Sequence, residues 1–220
     1  MAAATELLRV YVETGKTRVF ACALDWPGWC RSGRSDLKAV NTLVDYAARY
    51  RSAVAEAGIE LPAGMGEHIE IVERLQGNAT TDWGSPGIIA TEDVEPLTPD
   101  EAERLAAIVA ASWRVFDRIA GGAPLDLRKG PRGGGRDRDT IVGHILGADV
   151  EYAKAMGLRL HAPDPANAAE VAAFREAILA VIRASRGGPA STPKGWPIRF
   201  AARRITWHAL DHAWEIEDRS

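Results

Sequence analysis

Hydrophobic and polar positions alternate along the first third of the chain in the manner typical of β-strands. The runs LLRVYVET and TRVFACAL are rich in β-branched and aromatic residues, and the Gly-Lys pair between them is a two-residue hairpin signal. Beyond a Pro-Gly turn, Ser35 can cap a helix whose apolar stripe continues until Gly58. The strand-like run HIEIVERL follows, so we predict a small ββαβ domain over residues 1–80.

The spacing of hydrophobic and polar positions changes after this domain. Residues 81–97 are rich in turn formers and have no sustained period, which predicts a linker. Thr98 and Glu101 then form a capping box around Pro99, the signature of a helix start. Four amphipathic segments follow: DEAERLAAIVAASWRVFDRIA, DTIVGHILGADVEYAKAMG, AAEVAAFREAILAVIRAS and PIRFAARRITWHALDHAWEIEDR. We therefore predict an α+β protein, with a four-helix bundle over residues 98–220.

Composition narrows the class of protein. With 46% hydrophobic and 26% charged residues, the chain is typical of globular proteins, and its net charge of -3 gives no basic footprint for nucleic acid. The N-terminus lacks the features of a signal peptide, and no stretch approaches the roughly 18 apolar residues of a membrane span. Two cysteines, Cys22 and Cys30, are too few for a disulfide framework. We expect a cytoplasmic protein with reduced, inert thiols and neither nucleic acid nor membrane as a partner.

The C-terminal stretch TWHALDHAWEIEDRS contains candidate metal ligands. His208 and His212 are one turn apart, and at about 100° per residue their imidazoles lie about 40° apart on one helix face. His144 stands among apolar residues of the second bundle helix, so we expect it to point inward. Three imidazoles on two helices can hold Zn²⁺, Ni²⁺ or Fe²⁺ and leave coordination positions open for water or substrate.

Two carboxylates flank the histidine pair. Asp211 or Glu215 can accept the second N–H of an imidazole or act as a base, and the sequence leaves open which of them faces inward. We predict both as catalytic residues. The zincin pattern His-Glu-x-x-His is excluded, because Ala209 stands where the general-base glutamate would be.

An arginine- and glycine-rich stretch, RKGPRGGGRDRD, precedes the helix of His144. Its basic side chains can hold a carboxylate or phosphate near the start of that helix, where amide groups favour anions. We predict Arg132 and Arg136 as cofactor-binding residues. A flexible, solvated loop without a ligand is the alternative interpretation.

The stretch from Thr98 to Ser220, with its GHILGADVEYA and WHALDHAWEIEDR motifs, resembles the DinB/YfiT-like superfamily of bacterial four-helix bundles. This resemblance implies a divalent metal held by His144, His208 and His212. Members with known activity include S-transferases and isomerases that use bacillithiol, mycothiol or glutathione, and some hydrolases. The abundance of Ala, Arg and Gly suggests a GC-rich bacterial genome, for which mycothiol or another low-molecular-weight thiol is the expected cofactor.

The first third is similar to HicB-like domains in the stretch DWPGWCRSGRSDLKAVNTLVDYA, where a strand ends in a Pro-Gly turn and a helix follows. This resemblance implies a small sheet used for interaction or dimerisation, so a homodimer is one expected arrangement.

Two functional hypotheses follow from these features. In the first, the protein is a metal-dependent enzyme, a thiol S-transferase, isomerase or hydrolase, that acts on a small-molecule substrate. In the second, the histidines are polar groups of the core, and the protein is a non-catalytic interaction or stress-associated module acting through its N-terminal domain.

Overall fold

The computed structural model describes residues 6–129 and 135–220. The chain divides into two compact units, Met1–Asp93 and Val94–Ser220, which we call the sheet unit and the helical unit. Strands occur in the first and long helices in the second, which confirms the predicted α+β class. The segment 81–97, predicted as a linker, is divided between the two units.

The sheet unit contains a four-stranded mixed sheet. Its strands are β1 Leu8–Thr14, β2 Val19–Ala23, β3 Cys30–Gly33 and β4 Ile69–Gln76. Their order is β3-β2-β1-β4, with β1 and β4 parallel and the other pairs antiparallel. The β1–β2 hairpin was predicted from the sequence, but β3 was not. Its sequence, CRSG, has no alternation and no β-branched residue, so only its pairing with β2 defines it as a strand.

Two helices follow β3, where the sequence predicted one. They are α1 Asp36–Asp45 and α2 Ala47–Ala55, and Tyr46 interrupts them with φ -90° and ψ 2°. Ser35 caps α1 as predicted, since its side chain accepts a hydrogen bond from the backbone N–H of Lys38. Beyond the interruption, Tyr50 stacks on Trp29 with 5.2 Å between ring centroids.

The beginning of the predicted linker belongs to the sheet unit. The short helix α3 Ala79–Trp83 spans the predicted boundary between residues 80 and 81, and a 3-10 turn follows at Thr91–Val94. Glu13 of β1 is fully buried and accepts hydrogen bonds from the Thr81 hydroxyl and from the backbone N–H groups of Gly87 and Ile88. These bonds satisfy the buried carboxylate and tie the segment to the sheet.

Cys22 and Cys30 form a disulfide, which differs from the expected reduced thiols. The two residues are direct cross-strand partners on β2 and β3. Their separation of eight residues alone gives no sign of this pairing, because β3 has no sequence signal.

Four helices make up most of the helical unit: α4 Pro99–Gly122, α5 Arg138–Ala155, α6 Ala168–Ala184 and α7 Ile198–Arg219. The α4 start has the predicted capping box, in which Thr98 accepts from the N–H of Glu101 and Glu101 accepts from the N–H of Thr98. α4 packs against α6 and α7, and α5 packs against α7. Every residue from Phe200 to Leu210 of α7 is buried. No helix in the described ranges combines the length and apolar character needed to cross a membrane.

Candidate metal centre

The structure brings together the three histidines that the sequence singled out. His144 comes from α5, and His208 and His212 lie one turn apart on α7. Nε2 of His144 is 3.1 Å from Nε2 of His208, and one ligand nitrogen from each histidine lies within 4.8 Å of the others. Three such nitrogens are close enough to share one cation.

The three rings face one another edge-on instead of stacking. Their centroids are 4.9 Å apart for His144 and His208, 5.1 Å for His144 and His212, and 4.8 Å for His208 and His212. The interplanar angles lie between 74° and 88°. Because the ring planes are nearly perpendicular, nitrogens at the ring edges can converge on one point.

Burial keeps at least two of these histidines neutral. His208 is 6% exposed, and burial, followed by the charges of His212 and His144, lowers its pKa to about 2. Burial and the guanidinium of Arg136 likewise lower the pKa of His144. A neutral imidazole has the lone pair that a metal ligand needs, so the site favours the ligating form.

Glu215 orients His212 on α7. Nδ1 of His212 donates a hydrogen bond to one carboxylate oxygen of Glu215 at 2.7 Å, and Arg219 donates to the other oxygen at 2.6 Å. The hydrogen bond from His212 is the main cause that lowers the pKa of Glu215, so this carboxylate is ionised. In the neutral form of His212, the proton is therefore on Nδ1 and the lone pair is on Nε2.

The sequence left open which of the two carboxylates faces inward. Glu215 contacts the histidine cluster, because its carboxylate accepts a hydrogen bond from His212. Asp211 lies three residues beyond His208, just as Glu215 lies three residues beyond His212, so helical spacing alone does not distinguish the two.

The donor set fits a divalent cation. The Nε2 atoms of His144 and His208 face each other at 3.1 Å, and Nδ1 of His208 is buried with no hydrogen-bond partner in the described part of the chain. A single proton can satisfy only one pair of facing lone pairs. A cation can bind one nitrogen from each of the three histidines, and imidazole nitrogen is a preferred ligand of zinc, nickel and iron.

A buried arginine lies next to this cluster, and the sequence analysis did not single it out. Arg204 is 7% exposed, and its Nη2 donates a hydrogen bond to the Tyr152 hydroxyl at 3.3 Å. The Tyr152 ring in turn lies 5.8 Å from the His208 ring, measured between centroids. The available signal was spacing, since Arg204, His208 and His212 follow one another at intervals of four residues.

The two arginines predicted to bind an anion have different outcomes. Arg136 is exposed, and its charge is one of the causes that lower the pKa of both His144 and His208. Arg132 lies outside the described residues.

A buried carboxyl group lies further along α5. Asp149 is 1% exposed and accepts a hydrogen bond from Nε1 of Trp113 at 3.0 Å. Burial raises the pKa of Asp149 to about 7, against the opposing influence of the Arg175 guanidinium. Arg175 itself donates to Asp117 at 3.0 Å. This carboxyl group therefore keeps its proton to a much higher pH than an exposed aspartate does.

Comparisons with protein-family models, curated proteins and solved structures found no match to this chain. The DinB/YfiT-like and HicB-like resemblances therefore stay predictions. Function has to be argued from the chemistry of the site, because a fold alone does not determine an activity.

Proposed function

We propose that the helical unit is a DinB-like four-helix bundle that binds a divalent metal and catalyses a thiol S-transfer, isomerisation or hydrolysis. One observation carries the proposal: three histidine nitrogens from two helices lie within 4.8 Å of one another. The orientation of His212 by Glu215 supports it, because metal-ligating histidines generally donate their other N–H to a carboxylate or carbonyl.

The number of ligands favours catalysis over a structural role. Structural zinc sites usually have four protein ligands, whereas catalytic sites have three and keep a position for water or substrate. His144, His208 and His212 would hold the ion. Zinc, nickel and iron all suit imidazole ligands, so the proposed cofactor is one of these three.

The residues around the cluster have separate roles in this proposal. A divalent metal, when bound, supplies a Lewis acid that lowers the pKa of a thiol or water molecule. Glu215 fixes the tautomer of His212, and Arg219 holds Glu215 in place. Burial of His208 keeps bulk water from that side of the site. Arg136 provides positive charge at the exposed side, where an anionic small molecule can approach.

The proposed cosubstrate is a low-molecular-weight thiol, with mycothiol first among them. Support for a thiol comes from the sequence resemblance, and support for mycothiol comes from the Ala-, Arg- and Gly-rich composition. A thiol-transfer assay with mycothiol, bacillithiol and glutathione, run on metal-loaded protein, tests this part.

Metal content tests the site itself. Purified protein is incubated with Zn²⁺, Ni²⁺ or, anaerobically, Fe²⁺, then desalted and analysed by plasma mass spectrometry. We expect about one ion per chain and its loss in His208→Ala. The matched control is His161→Ala, which removes an exposed histidine of the same unit and should retain the ion. Equal, negligible metal in all three proteins would overturn the proposal and favour a non-catalytic module that acts through the sheet unit.

A further inference from the structure

A cavity lies at the C-terminal end of α5, away from the histidine cluster. Lys154, which lines this cavity, follows His144 by ten residues, or about 15 Å along the helix axis. At about 100° per residue, the two side chains also leave the axis about 80° apart. A ligand bound beside Lys154 would therefore occupy a site separate from the proposed metal centre.

The end of α5 forms one wall of this cavity. Gly157 terminates the helix in a left-handed conformation, with φ 91°. The backbone N–H of Leu158 donates to the carbonyl of Ala153 at 2.9 Å. The N–H of Gly157 donates to the carbonyl of Lys154 at 3.0 Å, which completes a Schellman motif. This turn directs residues 158–161 to the cavity, which they line together with the last turns of α5.

A second wall comes from the segment before α7. The backbone N–H of Trp196 donates to the carbonyl of Ala155 at 2.8 Å, which fixes this segment to the end of α5. Within the segment, the N–H of Gly195 donates to the carbonyl of Thr192 at 3.0 Å, and Thr192 lines the cavity. The cavity has a volume of about 770 Å³, within the range of about 300 to 1,000 Å³ that is typical of small-molecule sites.

The lining of the cavity combines apolar and basic side chains. The apolar ones are partly buried: Val150, Leu158 and Leu160. The basic ones are exposed: Lys154, Arg159 and His161. No aspartate or glutamate lines the cavity in the described part of the chain. The aliphatic side chains can contact a hydrocarbon body, while the basic side chains can donate hydrogen bonds to an anionic head group.

We infer that this cavity binds a small organic carboxylate with an apolar body, and that Arg159 is its main anion-binding residue. Lys154 lies 3.5 Å from the carboxylate of Glu151, so its charge is already partly compensated. Arg159 has no acidic partner within residues 6–129 and 135–220. Its planar guanidinium can form two parallel hydrogen bonds with a carboxylate. A single uncompensated guanidinium favours a singly charged carboxylate over a doubly charged phosphate.

Calorimetric titration of the full-length protein with octanoate tests the inference. Octan-1-ol has the same apolar chain without the charge, and inorganic phosphate has charge without the chain. Arg159→Gln removes the guanidinium, and Leu160→Asn makes the apolar wall polar. The matched control is Arg183→Gln, because Arg183 is paired with Glu103 and Glu176 and does not line the cavity. Far-ultraviolet circular dichroism checks that each variant is folded.

We expect saturable binding of octanoate, weaker binding of octan-1-ol and no measurable binding of phosphate. Arg159→Gln should raise the octanoate Kd about threefold to tenfold, since an exposed ion pair contributes less than a buried one. Leu160→Asn should also raise this Kd, and the Arg183 control should match the parent. Sodium chloride should weaken octanoate binding to the parent much more than to Arg159→Gln, because salt screens exposed charges.

The inference would be overturned if the parent did not bind octanoate saturably, if octan-1-ol or phosphate bound as tightly, or if Arg159→Gln left the octanoate Kd unchanged. His208→Ala separates this site from the histidine cluster. We expect this variant to bind octanoate like the parent, and loss of binding in it would place the carboxylate at the cluster and overturn the inference. Octanoate binding by a protein that takes up no metal would contradict the proposed function and leave the carboxylate site supported.

Discussion

His212 donates a hydrogen bond from Nδ1 to the carboxylate of Glu215, three residues further along α7, at 2.7 Å. Because the pKa of Glu215 is lowered and the carboxylate is ionised, the proton of this bond belongs to His212. The bond therefore fixes which nitrogen of His212 faces His144 and His208. A carboxylate beside the three histidines thus determines which nitrogen His212 presents to the proposed metal site.

Glu215→Gln should weaken divalent-metal binding. The amide cannot match the negative charge that holds the Nδ1 proton, and Arg219 loses its ion pair, so we expect a loss of about 10- to 100-fold in affinity. Competition with a chromophoric chelator measures the effect. Glu151→Gln removes an exposed carboxylate of α5 and should bind the metal as tightly as the parent. Equal affinity in both variants would show that Glu215 does not orient His212.

Metal should stabilise the protein against unfolding. An ion that binds only the native state adds about 2.7 kcal/mol to the free energy of unfolding at a free concentration of 100 Kd. Urea unfolding followed by far-ultraviolet circular dichroism, with Zn²⁺ or with a chelator, measures this difference. In His208→Ala, the two curves should coincide. Coincident curves in the parent would mean that the native state does not bind zinc in preference to the unfolded chain.

The burial of Asp149 predicts a pH dependence of stability. Its pKa is raised from 3.8 to about 7 in the folded protein, so between these values the folded state holds a proton that the unfolded state releases. Stability from this group is therefore present below about pH 4 and is lost as the pH rises towards 7. By the conversion of 1.36 kcal/mol for each pKa unit, the loss is on the order of 4 kcal/mol.

Asp149→Asn isolates this effect, because asparagine stays neutral and can still accept from Trp113. Relative to the parent, we expect the variant to become more stable as the pH rises from 4 to 7.5. Urea unfolding in the presence of a chelator measures the difference at each pH. Asp126→Asn, a change at an exposed carboxylate, should give no such trend. A difference for Asp149→Asn that does not vary with pH would contradict a buried, protonated carboxyl group.

The Cys22–Cys30 disulfide should stabilise the sheet unit. A cross-link that closes so short a loop limits the unfolded chain and contributes about 2 to 3 kcal/mol on the entropic account. Peptide mass mapping without reductant tests the linkage, and urea unfolding with and without reductant, followed by tryptophan fluorescence, tests its contribution. Two titratable thiols in the denatured, unreduced protein would contradict the linkage.

Features that depend on neighbours in sequence were predictable. Ser35 and Thr98 cap their helices as the sequence indicated, because a cap involves only the next three residues. The grouping of His208 with His212 follows from one helical turn. Bringing His144 to them required the packing of α5 on α7, which its apolar sequence neighbours indicated only in outline.

Features that depend on distant contacts were missed. β3 exists because CRSG pairs with β2, and its residues have no strand preference of their own. No glycine or proline stands at or next to Tyr46, so the sequence did not indicate the interruption between α1 and α2. The burial of Arg204 was also not predicted, because an arginine in a helix is usually solvent-exposed. Only the packed structure shows that this one is buried.

The continuous burial of α7 has an evolutionary consequence. Between Phe200 and Leu210, substitutions change a buried surface at every position, and the same stretch holds Arg204 and His208. In α6, by contrast, many side chains are exposed and can vary at little cost. Among descendants of a common ancestor, the sequence of α7 should therefore diverge most slowly and that of α6 much faster. The residues of α7 should then still identify distant relatives after the rest of the chain has lost its similarity.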